Sequence, residues 1–403
     1  MSGGELSSTS VLMAFPHVDI QMGTEGRVSL THPVLETKVE GSSETLEAFR
    51  YFEKPKMMGE AVETGKVAPQ ILEQLLQAVL VVNVNLLVDQ VPVSIGRPVI
   101  FSDFVSAPPA KGAVAIIGAP VDIATTRDSG TRQGPTEVRF NYPRIVAESG
   151  ETLDLDFRRS YSSGRHVVDL GNVKVVPGEG VETYGARLGK IVETALDAGT
   201  TPIVIGGDHS ITAPLLQVYG KKYPSIGIIH FDAHHDMYLN PIGPYEILTH
   251  GTPFRYVLKQ PISYLIQLGL RTLERVPDKA QVTMDQRLSY FSSRELQRLD
   301  PEKVFDQIPR DLPCYVSFDV DCLTPDLAPE TGSPVPGGLS YYQALDLLDY
   351  IATKFNIVGA DFVEVSGGRG GLNTAALTVA RYIAHVILAS SSKKAISGYY
   401  YNY

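Results

Sequence analysis

Cysteine is nearly absent from this chain of 403 residues: there are two, Cys314 and Cys322, at either end of one apolar run. Read as a strand at roughly 3.3 Å per residue, that run sets them about 26 Å apart, far beyond the ~7 Å between Cα atoms that a disulfide tolerates. A disulfide-stapled fold is excluded, and the usage suits a reducing cytoplasm. Basic residues are in the minority, 35 Lys and Arg against 45 Asp and Glu, for a formal charge of −10. Nucleic acid is therefore not an expected partner, since phosphate binding wants a basic surface, whereas a small cationic substrate is compatible. Long apolar runs are also missing. The longest, LLQAVLVVNVNLLV at 75–88, is too short for a bilayer and carries Gln77, Asn83 and Asn85, so a packed helix is expected and a membrane role is not. The opening MSGGELSSTS lacks the basic region of a signal peptide and is expected to be disordered. Histidine is sparse too, with nine in all, yet five lie between 209 and 250.

What is present reads as a globular chain, 43% hydrophobic and 20% charged. Residues 1–110 are expected to be an N-terminal extension: a disordered start, a helix and a Pro-studded wrapping arm, VPVSIGRPVIFSDFVSAPPAKG. From 111 to 403 a catalytic domain is expected. Its short runs GAVAIIGAP, TPIVIGG, SIGIIHFD, ISYLIQLGL, PCYVSFDVD and NIVGADFVE are apolar throughout. Such runs suit strands of a parallel sheet covered on both faces. Between them lie helical stretches, two of which begin at plausible N-caps, Ser340 and Asn373. The order is that of an α/β domain with right-handed crossovers. The tyrosine-rich tail SGYYYNY reads as exposed or docked.

In open α/β sheets ligands sit beyond the carboxyl ends of the strands. Three runs end there in acids and histidines: Asp208 and His209; Asp232, His234 and Asp236; Asp319 and Asp321. Alternation along an extended chain would turn Asp232, His234 and Asp236 one way, with His235 turned away. His230, deeper in its strand, is assigned to the core beneath. Carboxylates this crowded repel unless a cation lies among them, and Asp with neutral His suits divalent first-row metals. Four aspartates and two histidines exceed one tetrahedral zinc and suit a carboxylate-bridged pair. The competing interpretation is that each Asp caps the turn after its strand.

These motifs resemble the ureohydrolase family of arginases and agmatinases. GGDHS (206–210), FDAHHD (231–236) and SFDVDCLTP (317–325) match its metal motifs, with IGAPVDIATTRDSGTRQGPTEVR (117–139) and APETGSPVPGG (328–338) beside them. The resemblance covers about 111–390. It implies a three-layer α-β-α sandwich with a mainly parallel central sheet. It also implies that His209 and Asp236 hold one metal, His234 and Asp321 the other, and that Asp232 and Asp319 bridge them. Mn²⁺ is the family default. A two-metal site makes hydroxide available near neutral pH, the nucleophile that a resonance-stabilised guanidinium carbon needs. His250, apt as a proton shuttle, and Asp321 are candidates to protonate the leaving nitrogen. Glu364 is implied to pair with the guanidinium. Ser333 is implied near the substrate, and Tyr238 stands two residues past Asp236.

Two positions depart from the family: EVSGGRGGLN follows the glutamate, and Cys322 replaces a glycine. The stretch DMYLNPIGPYEILTHGTPF looks agmatinase-like and argues against arginine. A long N-terminal region resembles the branch that hydrolyses free guanidine, associated with Ni²⁺. Guanidine hydrolysis to urea and ammonia is thus the first expectation, with agmatinase or guanidinobutyrase activity as the alternative. A two-metal phosphoesterase or a non-catalytic paralogue is remote, because no Gly-Asn-His-Asp element follows and no ligand is lost. Family members form trimers and hexamers, so a homo-oligomer is expected.

Overall fold

In this computed structural model the described residues are 11–14, 18–31, 37–53, 56–78, 80–83, 111–145, 152–161, 167–238, 241–242, 245–273, 285–367 and 372–391. The chain divides into two compact units, residues 1–96 with 176–178, and 97–175 with 179–403. Among the described residues no helix is long and apolar enough to cross a membrane. The expected disordered start, the tyrosine tail and the arm at 91–112 up to Ala110 lie outside them.

The smaller unit has its own apolar core, with Leu12, Leu30, Phe52 and Leu75 fully buried. Two three-stranded antiparallel sheets form it: Val11–Ala14 between Lys56–Met57 and Val81–Asn83, and Val28–Thr31 between Asp19–Met22 and Lys38–Gly41. The single helix expected at 75–88 is corrected here. A helix starts at Pro69, whose missing N–H costs nothing in the first turn, and ends at Gln77. After it, Val81–Asn83 forms a strand, because consecutive β-branched valines favour extended backbone.

The larger unit is built on eight parallel strands. In chain order they are β1 Val114–Ala119, β2 Val167–Asn172, β3 Thr201–Gly206, β4 Ile226–Phe231, β5 Ile262–Leu270, β6 Leu288–Ser292, β7 Pro313–Asp319 and β8 Asn356–Val363. They are arranged in space as β2-β1-β3-β8-β7-β4-β5-β6. Successive residues face opposite cores: Ile116, Ile203 and Ile229 enter one cluster, while Ile117, Val204 and Ile228 enter the other. Helices α1 (Gly134–Asn141), α4 (Tyr341–Lys354) and α5 (Thr374–Ser391) cover the first face, and α2 (Val181–Asp197) and α3 (Thr212–Lys222) the second. This is the three-layer sandwich that was expected.

As expected, Ser340 starts α4 by accepting the Gln343 N–H, with the Gln343 side chain returning to the Ser340 backbone. Asn373 accepts the Ala376 N–H at 2.8 Å at the start of α5. Strands β2 and β6 escaped the sequence reading because they lie at the sheet edges. An edge strand is covered on fewer sides, and both carry exposed or half-exposed positions.

Candidate metal centre and active site

The site lies where β3, β8, β7 and β4, four neighbours in the sheet, reach their carboxyl ends. After β3 the backbone of Gly207 presses against Val121, where a Cβ would sit 1.7 Å from the Val121 carbonyl oxygen. Asp208 then turns the chain. Its carboxylate accepts the Ser210 N–H at 3.1 Å and the Ala124 N–H at 3.0 Å, so for this aspartate the capping interpretation holds. The turn delivers His209.

Beyond β4, the strand alternation assumed for Asp232, His234 and Asp236 does not apply. The strand stops at Phe231 and the next residues turn, with Asp236 in the left-handed region at φ 52°. Glu364, directly after β8, has φ 63°. Left-handed backbone is costly for a side-chain-bearing residue and gathers at functional sites. Among the described residues three non-glycines adopt it, and two of them lie here. Beyond β7, the tight turn Val320–Cys322 presents Asp321. Asp319 Oδ1 accepts the Asp321 N–H at 2.8 Å, and Asp321 Oδ1 accepts the Ala233 N–H at 3.1 Å, joining the β7 and β4 loops.

The six expected ligands converge into two donor groups. His209 Nδ1 stands 2.9 Å from Asp236 Oδ2, 3.2 Å from Asp232 Oδ2 and 3.2 Å from Asp319 Oδ2. His234 Nδ1 stands 3.0 Å from Asp321 Oδ2 and 3.3 Å from Asp232 Oδ1. Asp232 thus offers one oxygen to each group. Asp319 faces the His209 group with one oxygen and spends the other on the backbone. One ring nitrogen cannot donate to three carboxylates, and buried His209 Nδ1 has no hydrogen-bond partner among the described residues. A central cation resolves this: donors bound at about 2.1 Å and right angles stand about 3 Å apart. The residues fit two divalent ions.

His230 also comes near His209 and Asp232, but it is not a donor to spare. The Gln267 amide N–H₂ donates to His230 Nδ1 at 2.9 Å, and its orientation is set by a second bond to the His235 carbonyl at 2.8 Å. His230 therefore carries its proton on Nε2 and gives it to Asp232 Oδ2 at 2.9 Å. Its ring stacks on Phe254, 3.9 Å between centroids. Burial lowers its proton affinity to a pKa of about 4, which suits a neutral ring beneath the site. His235 accepts the Met237 N–H at 2.9 Å and packs on Tyr238.

Three further residues were missed by the sequence reading. His209 Nε2 meets Ser317 Oγ at 3.0 Å, and Ser317 donates to buried Asp361 at 2.7 Å. This relay orients the imidazole, as outer carboxylates do for metal-binding histidines. An aspartate inside the apolar run NIVGADFVE was its only signal. Arg271 donates to the carbonyls of Asp321 (2.6 Å), Cys322 (3.2 Å), Leu323 (3.1 Å) and Val335 (3.0 Å), gathering the loop behind Asp321. Cys322 is buried and free, and burial pushes its thiol up, consistent with a small inert filler.

A cavity of about 330 Å³ opens over the donor groups, lined by Tyr238, Ser333, His250, Glu364 and Arg127 among others. Glu364 Oε1 accepts the His209 N–H at 2.8 Å and faces His250 Nδ1 at 3.3 Å. Its Oε2 is buried with no partner among the described residues. Thr126 donates its backbone N–H to His250 Nε2 at 3.1 Å. Burial opposes charge on His250 while Glu364 raises its proton affinity. The net direction is upward; in the neutral ring a backbone N–H only donates, so Nε2 is bare and Nδ1 holds the proton toward Glu364.

Protonation of the donor groups predicts how they load. Burial disfavours charge on His234, yet Asp232 and Asp321 lift it to about 12. Burial and the charge of Asp232 lift Asp236 to about 7. Burial and their acidic neighbours also raise Asp319 and Asp321, while the surrounding imidazoles hold Asp232 low. Metal ligands must be deprotonated, so His234 surrenders a proton on loading at any pH below about 12 and Asp236 does so below about 7. Apparent metal affinity should therefore fall with falling pH, about tenfold per unit for each proton released. Calorimetry at pH 8 and pH 6, in buffers of different ionisation heat, reads both affinity and proton release. An affinity flat across this window would contradict the donor assignment.

A sequence model of the arginase family matches residues 112–389. The agmatinase of Cronobacter sakazakii is 33% identical over 283 residues, 69% of this chain and 88% of that one. The crystal structure of a hypothetical agmatinase from Burkholderia thailandensis is similar, with a TM-score of 0.62 and 28% identity over 71% of this chain and 87% of that one. Proclavaminate amidino hydrolase from Streptomyces clavuligerus is similar with a TM-score of 0.60 and 26% identity, over 72% of this chain and 97% of that one.

Proposed function

The chain belongs to the arginase family of metal-dependent ureohydrolases, which act on C–N bonds at a binuclear divalent metal centre, and we propose that it cleaves an aliphatic guanidino compound into urea and an alkyl amine. The observation that carries this is Glu364. Glu364 lines the cavity, and a buried carboxylate oxygen without a partner, as its Oε2 is among the described residues, is costly unless a ligand completes it. A planar guanidinium offers the matching N–H groups.

His209, Asp236, Asp232 and Asp319 would hold one ion, and His234, Asp321 and Asp232 the other. When bound, the pair supplies an activated water at neutral pH and charge stabilisation for the transition state. Glu364 orients the guanidinium over the site while its own position is fixed by the His209 N–H. His250, whose proton affinity Glu364 raises, is the group placed to take up a second proton on its bare Nε2 and pass it to the departing nitrogen. Asp321 is the other candidate for that transfer.

A substituted guanidine is better supported than free guanidine, the first expectation. The curated relatives are agmatinases. The donor set accepts Mn²⁺ and Ni²⁺ alike. The test is urea release from agmatine, 4-guanidinobutyrate, guanidine and arginine after loading with either ion. Agmatine or 4-guanidinobutyrate is expected to turn over at least about tenfold faster in kcat/KM than guanidine or arginine. No urea from any combination would overturn the proposal.

A further inference from the structure

We infer that Arg127 selects a substrate whose tail ends in a carboxylate, making the chain a hydrolase of ω-guanidino acids; this rests on the ureohydrolase reading above. Arg127 lines the cavity over the donor groups, as do Thr126, Ser333 and Glu364. It is the one Lys or Arg among the described lining residues. No described residue pairs with it, and the nearby Asp122 is engaged instead, accepting the Gly130 N–H at 3.0 Å with Arg132 at 3.8 Å.

The backbone around Arg127 is tied to the site itself. Ala124 is held by Asp208 at 3.0 Å, and its carbonyl accepts the His250 N–H at 3.1 Å. Thr126 donates to the His250 ring at 3.1 Å. On the other side, Gly130 is held by Asp122 and its carbonyl accepts the Gly367 N–H at 3.2 Å. The backbone on either side of Arg127, whose own side chain is exposed, is therefore anchored in part by the residues that set His250.

Charge bookkeeping leaves Arg127 as the remainder. Two divalent ions would offset Asp232, Asp236, Asp319 and Asp321, and a bound guanidinium would offset Glu364. Arg127 then meets the far end of the substrate. The ammonium of agmatine would face it as a like charge, which costs specificity, whereas a carboxylate would form a bidentate pair with it.

The experiment compares kcat and KM for 4-guanidinobutyrate, agmatine and guanidine in the Mn²⁺-loaded protein, in Arg127→Gln and in Arg127→Glu. The wild type should prefer the acid. Arg127→Gln should raise KM for the acid about 10- to 100-fold with kcat little changed, since a tail contact is equal in ground and transition states. Arg127→Glu should move the preference to agmatine. Guanidine, which has no tail, should be hydrolysed alike by all three forms. A wild-type preference for agmatine that Arg127→Gln leaves unchanged would overturn the inference while the ureohydrolase reading stands. Equal losses on all three substrates, guanidine included, would overturn it in favour of a loop-supporting role. Absence of urea from every substrate would instead sink the underlying reading.

Discussion

Asp232→Ala should lose both metal ions and nearly all urea release together. Its two carboxylate oxygens face different donor groups, one 3.3 Å from His234 Nδ1 and the other 3.2 Å from His209 Nδ1. No other residue among the six reaches both imidazoles. Each group would keep histidine and aspartate but lose the anion that ties it to the other. Changes in the outer sphere of a metal site already cost about 10- to 100-fold in affinity, and loss of a shared ligand should exceed that for each ion. The several kcal/mol of transition-state stabilisation that an ion provides corresponds to a rate loss of about a thousandfold or more. Metal analysis by mass spectrometry, beside a urea assay and a circular-dichroism melt, separates this from unfolding. A folded Asp232→Ala protein with two ions and wild-type turnover would refute the assignment.

Glu364→Gln should have the second largest effect, of another kind. The amide oxygen can still accept the His209 N–H, so His209 keeps its anchor and metal content should stay near normal. What disappears is the negative charge facing the substrate. Removing one partner of a buried, hydrogen-bonded charge pair costs about 2–5 kcal/mol, or about 30- to 4,000-fold in kcat/KM at tenfold per 1.4 kcal/mol. Steady-state kinetics with parallel metal analysis checks this. If metal is lost in proportion to activity, Glu364 acts by supporting His209 and not by holding a guanidinium.

The ligand cluster was legible because apolar runs ending in acids and histidines mark the carboxyl edge of a parallel sheet. That rule places Asp232, Asp319 and Glu364 without any knowledge of how the strands are ordered. The local reason for the convergence was misjudged, since turning loops and the left-handed backbone of Asp236 replace simple alternation. Ser333 and Tyr238 line the cavity over the donor groups. The supporting residues were hidden for one physical reason: their partners are remote in sequence. Gln267 reaches His230 and His235, Arg271 collects carbonyls as far as Val335, and Ser317 meets His209 across more than a hundred positions. Arg127 was quoted within a matching motif, yet nothing in its neighbours marked it as facing a cavity. In the smaller unit the apolar run at 75–88 carried both helical and strand-forming residues, and the valines decided where the helix gives way.

The placement of β8 has a consequence for synthesis. Among the described residues it is the last strand, yet it lies between β3 and β7 in the sheet. All six candidate ligands have been translated before it begins at Asn356. On the ribosome, where chains grow and fold from the amino end, His209 on the β3 side and the acids on the β4 and β7 side stay without the strand that sets their spacing. The six donors take up the spacing described here only once β8 has joined the sheet, so a fragment that stops before Asn356 carries every candidate ligand without the strand that gathers them.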